Sequence, residues 1–426
     1  MPFVVSLSNH EQPFDKLRAN EINFIFIIKN TMKKQTIRDV ELRGKRVLVR
    51  VDFNVPLDME SNTISDDSRI RAVLPTIRYL IDEGSKVILC SHLGRPKGKV
   101  VEELRLAPVA KRLSQLLESP VASARDCIGP EVEQAVSHLK EGDVLLLENL
   151  RFHAEEEKND SDFARALSRL ADVYVNDAFG TAHRAHASTV GVAQHLPAVA
   201  GFLMEKEIDF LSKALTDPVP PFAAVTGGAK VSDKLGLLEN ILGKVDFLLI
   251  GGGMCCTFLK AQNHDVGQSE VEEDKLDFAL DLTGKAAEVG AKIMLPTDVV
   301  VAESFASGVP FKIVPVSKIP ESSYVMDIGP QTIESFSAEL RKCKTVIWNG
   351  PMGVFEFAEF RRGTEAIAKQ LAELEAITIL GGGSTAEAVE ELGLADKMSL
   401  VSTGGGATLA FLEGKTLPGV AALLDK

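Results

Sequence analysis

The chain has 426 residues, of which 45% are hydrophobic and 25% are charged, and its 60 acidic residues outnumber its 47 lysines and arginines to give a net charge of −13. The length predicts two or three domains, and the composition excludes a disordered or collagen-like chain. A chain this acidic is not suited to general binding of nucleic acid or of anionic membranes. If it binds an anionic ligand, its lysines and arginines have to be concentrated at the binding site.

The cysteines and the first apolar run indicate the compartment. The chain has five cysteines and no C-x-x-C pair, which favours neither a zinc finger nor a thioredoxin-type motif. A sparse, odd set of cysteines is typical of a reducing compartment. The apolar run Ile22–Ile28 is too short to span a bilayer, and no signal-peptide cleavage pattern follows it. We expect a soluble, cytoplasmic protein with no nucleic-acid and no membrane partner.

Residues 1–31 contain no strand–turn–helix unit, and we interpret them as an extension or as the product of an upstream start codon. From about residue 45 one unit recurs: a short, β-branched apolar run, a polar or glycine-rich turn and a helical pattern. Such runs are typical of parallel strands buried on both faces. The predicted strands are Arg46–Phe53, Lys86–Ser91, Asp143–Glu148, Asp172–Asp177, Phe222–Thr226, Phe247–Ile250, Lys292–Pro296, Thr345–Trp348, Ile377–Leu380 and Ser399–Ser402.

The number of predicted strands indicates two sheets rather than one. Ten strands in one open sheet would be unusual, so we expect an α/β protein with two doubly wound, parallel-sheet (Rossmann-like) domains. Prolines at 218, 220 and 221 end a helical stretch and mark the entry to the second domain. The predicted division is an N-terminal domain at 32–201, a hinge helix at 202–216 and a C-terminal domain at 217–405.

Basic residues follow the predicted strands of the first half. Ligands of open α/β sheets bind beyond the carboxyl ends of the strands, and guanidinium groups bind phosphate or carboxylate in bidentate fashion. The cluster predicts a small ligand with several negative charges, although any one arginine could instead be an ordinary surface residue. Its members are Asp52, Asn54, Arg69, His92, Arg95, Arg151, His183 and Arg184.

Glycine-rich turns follow the strands of the second half, at 227–229, 251–253, 381–383 and 404–406. Glycine lets backbone N–H groups approach a phosphate chain closely, and a following helix N-terminus adds partial positive charge. Lys230 and Lys234 would add mobile charge, and Asp233 could hold Mg²⁺. These turns could also serve helix–strand packing, but four of them in one half favour a nucleotide.

The usual nucleotide fingerprints do not apply cleanly to these turns. The chain has no P-loop sequence. The segment Gly381–Ala386 matches G-x-G-x-x-A, but no acidic residue ends a strand about 20 residues later, as dinucleotide binding requires. Together, a polyanion site and a polyphosphate site predict phosphoryl transfer, which needs positioning, positive charge and exclusion of water. The two sites have to meet, so we expect closure about a hinge.

Long segments of the chain closely resemble phosphoglycerate kinase, in order, from about Met32 to the C-terminus. The segments are Arg50-Val-Asp-Phe-Asn-Val-Pro56, Ser91-His-Leu-Gly-Arg-Pro96, Glu148-Asn-Leu-Arg-Phe152, Asn176-Asp-Ala-Phe-Gly-Thr-Ala-His-Arg-Ala-His-Ala-Ser188, Gly227-Gly-Ala-Lys-Val-Ser-Asp-Lys234, Trp348-Asn-Gly-Pro-Met-Gly-Val-Phe-Glu356 and Ser402-Thr-Gly-Gly-Gly406.

The resemblance implies a glycolytic kinase that converts 3-phosphoglycerate and ATP reversibly to 1,3-bisphosphoglycerate and ADP, with Mg²⁺ accompanying the nucleotide. It implies a monomer with a hinge, whose C-terminal segment, 406–426, returns to the first domain. Implied substrate-binding residues are Asp52, Phe53, Asn54, Arg69, His92, Leu93, Gly94, Arg95, Arg151 and Arg184. Implied nucleotide-binding residues are Gly227, Gly228, Lys230, Lys234, Gly252, Gly329, Asn349, Pro351, Glu356, Gly382, Gly383, Ser384 and Thr385, with Asp233 as the metal ligand.

The expected mechanism needs no general base, because the attacking carboxylate is ionised at neutral pH. Arg69 and Lys230 are the residues that we expect to neutralise the transferring phosphoryl group. Many family members have aspartate where this chain has Ser384, and we expect Ser384 to cap the next helix and to offer its hydroxyl or amide to a phosphate. Two alternatives are a nicotinamide-dependent dehydrogenase, suggested by the turn at Gly381, and a catalytically silent nucleotide-binding protein of the same fold.

Overall fold

The protein is described by a computed structural model that covers residues 34–58 and 63–426, so the interpretation of residues 1–31 lies outside the described part. The strands are β1 (Arg46–Arg50), β2 (Leu57–Asp58), β3 (Thr63–Ile64), β4 (Lys86–Cys90), β5 (Val121–Ser123), β6 (Val144–Leu146), β7 (Val173–Asn176), β8 (Ala198–Ala200), β9 (Phe222–Thr226), β10 (Phe247–Ile250), β11 (Lys292–Met294), β12 (Asp298–Ala302), β13 (Phe311–Pro315), β14 (Tyr324–Ile328), β15 (Thr345–Asn349), β16 (Ile377–Gly381) and β17 (Leu400–Val401).

Helices separate most of these strands along the chain, as the sequence pattern predicts, but no α-helix lies between β1 and β3, between β7 and β8 or between β11 and β14. They are α1 (Ser68–Asp82), α2 (Ala107–Leu117), α3 (Pro130–Ser137), α4 (Ala154–Glu157), α5 (Ser161–Ser168), α6 (Phe202–Thr216), α7 (Leu235–Leu242), α8 (Cys255–Ala261), α9 (Leu276–Val289), α10 (Pro330–Leu340), α11 (Arg362–Ala372), α12 (Gly383–Glu391), α13 (Gly406–Leu412) and α14 (Pro418–Ala421). Among the residues that the structure describes, no helix is long and apolar enough to cross a membrane.

Two six-stranded sheets form the frame of the molecule, in the orders β5-β6-β4-β1-β7-β8 and β11-β10-β9-β15-β16-β17. Neighbouring strands within both sheets are parallel. Strand β1 shows why its sequence is almost continuously apolar: Val47 and Val49 enter the core on one face of the sheet, and Leu48 enters the core on the other. The predicted fold class, two doubly wound parallel sheets, is confirmed.

The sequence patterns did not predict seven of these strands, of which β2 and β3 form an antiparallel pair of only two residues each. Strands β5 and β8 are edge strands of three residues each, too short to give a clear apolar run. Strands β12, β13 and β14 form a separate antiparallel sheet in the order β13-β12-β14. The middle strand is buried throughout, but β13 is mostly exposed, so it lacks the apolar run on which the prediction depended.

Helix α6 connects the two sheets. Its buried residues Met204, Ile208, Leu211 and Leu215 recur at helical spacing and join one apolar cluster that includes residues of both halves. Its first turn is capped by Asp177, whose Oδ1 accepts hydrogen bonds from the N–H groups of residues 203 and 204 at 2.9 and 3.0 Å. A residue at the end of β7 therefore sets the direction in which α6 leaves the first sheet.

The last residues of the chain pack against the first sheet. The Asn176 Nδ2 donates to the carbonyl of Gly419 at 3.2 Å, and the N–H of Leu424 donates to the carbonyl of Ala198 at 2.9 Å. Helix α13, just before this segment, contacts both halves: it packs near the 3₁₀ turn Phe179–Thr181, and Asn240 Nδ2 on α7 donates to the carbonyl of Leu412 at 2.6 Å. The backbone thus passes between the two halves a second time after α13.

Candidate active site

The carboxyl ends of β1 and β4 hold a buried acidic residue among cations. The Nη1 of Arg69 lies 2.5 Å from the Oδ2 of Asp52, and the Nδ1 of His92 lies 3.8 Å from its Oδ1. Burial opposes ionisation of Asp52, but Arg69, Arg50 and the hydrogen bond from the N–H of Asn54 outweigh it and lower the pKa of this carboxyl. Asp52 is therefore an anion that balances part of the charge of the cluster and orients Arg69.

Arg50 is a member of this cluster that the sequence reasoning missed. Its side chain is buried, its Nε donates to Ser188 Oγ at 2.9 Å, and its Nη2 lies 3.1 Å from His92 Nδ1. The remaining contact of its guanidinium is to the carbonyl of Val51. The available signal was a charged residue at the end of an otherwise apolar strand, which is costly to bury unless it is paired.

The loops after β4 and β6 are joined by hydrogen bonds. The Oδ1 of Asn54 accepts from the N–H of Gly94 at 2.8 Å, and Nη1 of Arg151 donates to the carbonyl of Gly94 at 2.8 Å. Asn149, which the sequence reasoning also missed, accepts from the N–H of Leu93 and donates back to its carbonyl. These hydrogen bonds fix the loops after β4 and β6 to each other at Leu93 and Gly94. They place Arg151 beside the strand ends that carry Asp52 and His92.

The other predicted substrate residues include Phe53, Arg184 and Arg95. Phe53 is buried, and its N–H donates to Ser91 Oγ at 2.9 Å. The Nε of Arg184 lies 3.0 Å from Nε2 of His183. Arg95 is exposed at the rim of the loop after β4.

Three histidines line the cluster in their neutral form. Burial lowers the pKa of His92 well below its usual value, with Arg50, Arg151 and Arg184 adding to the effect against Asp52. Burial and the same arginines lower the pKa of His186 to about 4, and burial and Arg184 lower the pKa of His183. The positive charge therefore belongs to the guanidinium groups, which repel one another when no anion lies between them.

Backbone hydrogen bonds tie together the glycine-rich loops at the carboxyl edge of the second sheet. The N–H of Gly227 donates to the carbonyl of Asn349, and the N–H of Gly228 donates to the carbonyl of Pro351 at 3.0 Å. The N–H of Gly252 donates to the carbonyl of Met352 at 2.9 Å. A Cβ on residue 227 would collide with the carbonyl oxygen of Pro351, so this approach requires glycine. Three loops of the second half thus form one continuous surface.

The lysines of this edge have different surroundings. Lys230 is largely exposed, its Nζ lies 3.0 Å from Oε1 of Glu270, and this carboxylate raises the pKa of Lys230. The Nζ of Lys234 donates to Oδ1 of Asn349, and burial lowers the pKa of Lys234 to about 8. Asp233 lies between the two lysines in the sequence and is exposed. Lys230 has to leave Glu270 before it can bind a phosphate.

The turn before α12 corrects one expectation. The residue that precedes the helix is Gly382, with φ of 97°, and no side chain caps the helix. Ser384 lies inside the first turn and is exposed, so the prediction that it caps the helix was wrong. Gly383 is also exposed, whereas Thr385 is buried and its Oγ1 accepts from the N–H of Gly350 at 2.8 Å.

The two remaining nucleotide candidates lie on either side of these loops. Gly329 lies between β14 and α10, where a side chain would collide with the carboxylate of Asp298. Asp298 itself accepts from the N–H of Thr332 at 2.8 Å and so caps α10. Glu356 is exposed after β15.

The two edges meet at the end of β17. A Cβ placed on Gly180 would lie 2.7 Å from Oδ2 of Asp52 and 3.3 Å from the carbonyl oxygen of Thr403. Further out, burial raises the pKa of Glu390 on α12, Asp66 adds to the rise, and Arg69 opposes it. Arg69 and α12 are therefore close enough across the cleft to interact, although they belong to different halves of the chain.

An arginine-rich edge facing a glycine- and lysine-rich edge defines a two-domain α/β phosphotransferase. The family model of phosphoglycerate kinase matches residues 37–415. Proteins named phosphoglycerate kinase from Moorella thermoacetica and Pelotomaculum thermopropionicum are each 59% identical over 395 residues, which cover 93% of this chain and 100% of theirs. The chain belongs to the phosphoglycerate kinase family.

Solved structures agree with this membership. The chain is similar to the phosphoglycerate kinase of Coxiella burnetii, with a TM-score of 0.82 and 41% identity over 91% of this chain and 98% of that one. It is also similar to the phosphoglycerate kinase of Pyrococcus horikoshii, with a TM-score of 0.81 and 36% identity over 91% and 98% of the two chains. The membership excludes the nicotinamide-dependent dehydrogenase considered above.

Proposed function

We propose that the chain catalyses reversible transfer of a phosphoryl group between ATP and the carboxylate of 3-phosphoglycerate, giving 1,3-bisphosphoglycerate and ADP. The observation that carries the proposal is the cluster of Arg50, Arg69, Arg151 and Arg184 around neutral histidines at the edge of the first sheet. Such a cluster is unfavourable alone and favourable around a polyanion, because each guanidinium then gains a charge-assisted hydrogen bond. The sugar-derived substrate has a phosphate and a carboxylate, which is enough charge for several of these groups.

The residue assignments follow the two edges. Asp52, Phe53, Asn54, Arg69, His92, Leu93, Gly94, Arg95, Arg151 and Arg184 are assigned to the phosphoglycerate. Gly227, Gly228, Lys230, Lys234, Gly252, Gly329, Asn349, Pro351, Glu356, Gly382, Gly383, Ser384 and Thr385 are assigned to the nucleotide. The corresponding domains are 32–201 and 217–405, joined by the helix 202–216, with the segment 406–426 completing the first domain.

The chemistry follows from charge rather than from proton transfer. The attacking carboxylate is already ionised at neutral pH, so none of the neutral histidines has to act as a general base. Arg69 from the first edge and Lys230 from the second neutralise the oxygens of the transferring phosphoryl group, after Lys230 has left Glu270. Rotation of the two domains toward each other excludes water, so that transfer to the carboxylate competes with hydrolysis.

The metal that accompanies the nucleotide is assigned as Mg²⁺. The exposed carboxylate of Asp233 and the exposed hydroxyl of Ser384 fit this ion, which keeps several waters and takes few protein ligands. When bound, the ion would offset charge on the phosphate oxygens. We assign the activity to the cytoplasm, because all five cysteines are free thiols, and we expect the enzyme to act as a monomer.

A coupled spectrophotometric assay of the purified chain tests the proposal. ADP formation should require both ATP and 3-phosphoglycerate and should disappear when either is omitted. ATP binding without turnover would instead support the catalytically silent alternative. The matched variants Arg151→Lys and Arg165→Lys give a control, since Arg151 is buried in the cluster and Arg165 is exposed on α5. Only the first should raise the KM for 3-phosphoglycerate, because lysine loses the planar guanidinium fork.

A further inference from the structure

A second group of metal-ligating side chains lies outside the substrate cluster, at one end of the first sheet. It contains Asp126, Cys127 and His153, and one ligand atom from each of the three lies within 4.8 Å of the others. None of these residues has a role in the phosphoryl transfer described above. The group combines a carboxylate oxygen, a thiol sulfur and an imidazole nitrogen, so it is not merely an acidic patch.

The fold brings these residues together for a simple reason. Asp126 and Cys127 follow β5, and His153 follows β6 after a 3₁₀ turn at Leu150–Phe152. Strands β5 and β6 are parallel neighbours, so the segments after them leave the sheet at the same edge. The N–H of Glu148 donates to the carbonyl of Asp126 at 3.3 Å and ties the two segments together.

The side chains are already oriented toward one another. The Nε2 of His153 lies 2.7 Å from Oδ1 of Asp126, and the N–H of Cys127 donates to the same oxygen at 2.7 Å. The imidazole packs against the ring of Phe163, with centroids 5.2 Å apart, which restricts its rotation. The Cys127 side chain is buried, whereas the side chains of His153 and Asp126 are 26% and 53% exposed. The group therefore has a solvent-facing mouth and a thiol at its base.

This donor set selects among metal ions. Zn²⁺ takes cysteine, histidine and carboxylate ligands in a tetrahedral arrangement, whereas Mg²⁺ and Ca²⁺ prefer oxygen ligands alone. We propose that Asp126, Cys127 and His153 form a binding site for Zn²⁺, with water as the fourth ligand. On binding, a zinc–sulfur bond replaces the sulfur–hydrogen bond of Cys127, and the thiol proton passes to the solvent.

A metal bound at this site would affect the substrate cluster through the loop after β6. His153 is two residues from Arg151, whose guanidinium holds the carbonyl of Gly94 at 2.8 Å. A metal bound to His153 and to the Asp126–Cys127 turn joins two separate segments at the back of the substrate cluster. Without a metal, the contact between His153 and Asp126 is a partly exposed hydrogen bond, which contributes little.

Cobalt provides the direct test, because a Co²⁺–thiolate bond gives a charge-transfer absorption band in the near ultraviolet. The full chain, freed of metal with a chelator, is titrated with Co²⁺ and then with Zn²⁺. The expected result is one Co²⁺ per chain with this band, and its loss as Zn²⁺ displaces Co²⁺. Zn²⁺ alone should also raise the midpoint of thermal unfolding, as any ligand of the folded state does.

Variants assign the band to its residues. Cys127→Ser should abolish the band. His153→Gln, at a partly exposed position, removes a direct ligand and should weaken Co²⁺ binding at least about 100-fold, since even the loss of an outer-shell partner weakens metal binding about 10- to 100-fold. Cys343→Ser is the matched control, because this thiol is also buried but belongs to the second half of the chain. The proposal is overturned if the wild-type chain gives no band at a tenfold excess of Co²⁺, if the band survives in Cys127→Ser, or if His153→Gln binds Co²⁺ as tightly as the wild type.

Discussion

Replacing Arg69 with alanine removes the cation that lies between Asp52 and the second half of the chain. Its Nη1 is 2.5 Å from Oδ2 of Asp52, and its side chain is 35% exposed, toward the cleft. We predict that kcat falls about 10³-fold or more, as for other arginines that neutralise a transferring phosphoryl group. That loss corresponds to about 4 kcal/mol of transition-state stabilisation. The KM for 3-phosphoglycerate should change much less.

The structural part of this substitution is smaller. The Arg69–Asp52 pair is partly screened by solvent, since the side chain of Arg69 is 35% exposed although that of Asp52 is only 12% exposed. Its loss should therefore cost about 1–3 kcal/mol, between the values for a surface pair and for a fully buried pair. Arg50 and the N–H of Asn54, which donates to Oδ1 of Asp52 at 3.3 Å, also lower the pKa of Asp52, so this carboxyl keeps stabilising partners when Arg69 is removed. The thermal unfolding midpoint should therefore move by only a few degrees, and the loss of kcat cannot be attributed to unfolding.

A nearby residue provides the matched control. Arg71 lies on the same helix, and its Nε is 2.7 Å from Oδ1 of Asp67, but it is 54% exposed and outside the cluster. Arg71→Ala should keep nearly all of the activity. Steady-state kinetics in both directions, combined with single-turnover measurements, separate binding from chemistry. If Arg69→Ala raises KM with kcat unchanged, Arg69 anchors the ground state and the mechanism proposed above is wrong.

Three further outcomes are expected. Burial raises the pKa of the Glu207 carboxyl on α6 from 4.5 to about 7, so the folded state binds the carboxyl proton more tightly than the unfolded state does. The free energy of unfolding should therefore fall by roughly 3 kcal/mol as the pH rises from about 4.5 to about 7. Glu207→Gln should make the thermal unfolding midpoint less dependent on pH over that range, whereas Glu205→Gln should leave its pH dependence unchanged. Equal slopes of the midpoint against pH in the two variants would contradict the assignment. Gly227→Ala should raise the KM for ATP about tenfold or more, because its Cβ meets the Pro351 carbonyl at a cost of about 1–3 kcal/mol, while Gly243→Ala, with open space around it, should leave KM unchanged. Ser384→Asp should lower the KM for Mg-ATP by up to about fivefold, the effect of an exposed ion pair of about 1 kcal/mol; an unchanged KM at several Mg²⁺ concentrations would place residue 384 away from the metal.

The main architecture was predictable because burial on both faces imposes a strong sequence pattern. Strands such as β1 and β9 are continuous apolar runs, and parallel pairing then brings the residues after them to a common edge. That argument was sufficient to group Asp52, His92 and Arg151. It failed for β5 and β8, where three residues at a sheet edge leave too little pattern.

The omissions in the site have a different cause. Arg50 was included in the predicted strand Arg46–Phe53, whereas β1 ends at Arg50 itself, so its side chain belongs to the site rather than to the sheet interior. The contact of Lys230 with Glu270 joins residues 40 positions apart on two loops, and no local pattern predicts it. Helix α12 begins after Gly382, whose backbone has a positive φ, and no side chain caps it. The prediction failed because Ser384 is a common capping residue and the sequence does not show the φ of Gly382.

The route of the backbone limits how the cleft can close. The chain leaves the first sheet through α6 and comes back after α13 to lie beside Asn176 and Ala198. Two rigid bodies joined by one strand of chain can turn in any direction, but two bodies joined at two separated points can turn freely only about the line through those points. Under the closure proposed above, the double connection would leave one principal axis of rotation, and it would bring the arginines to the same position at each turnover.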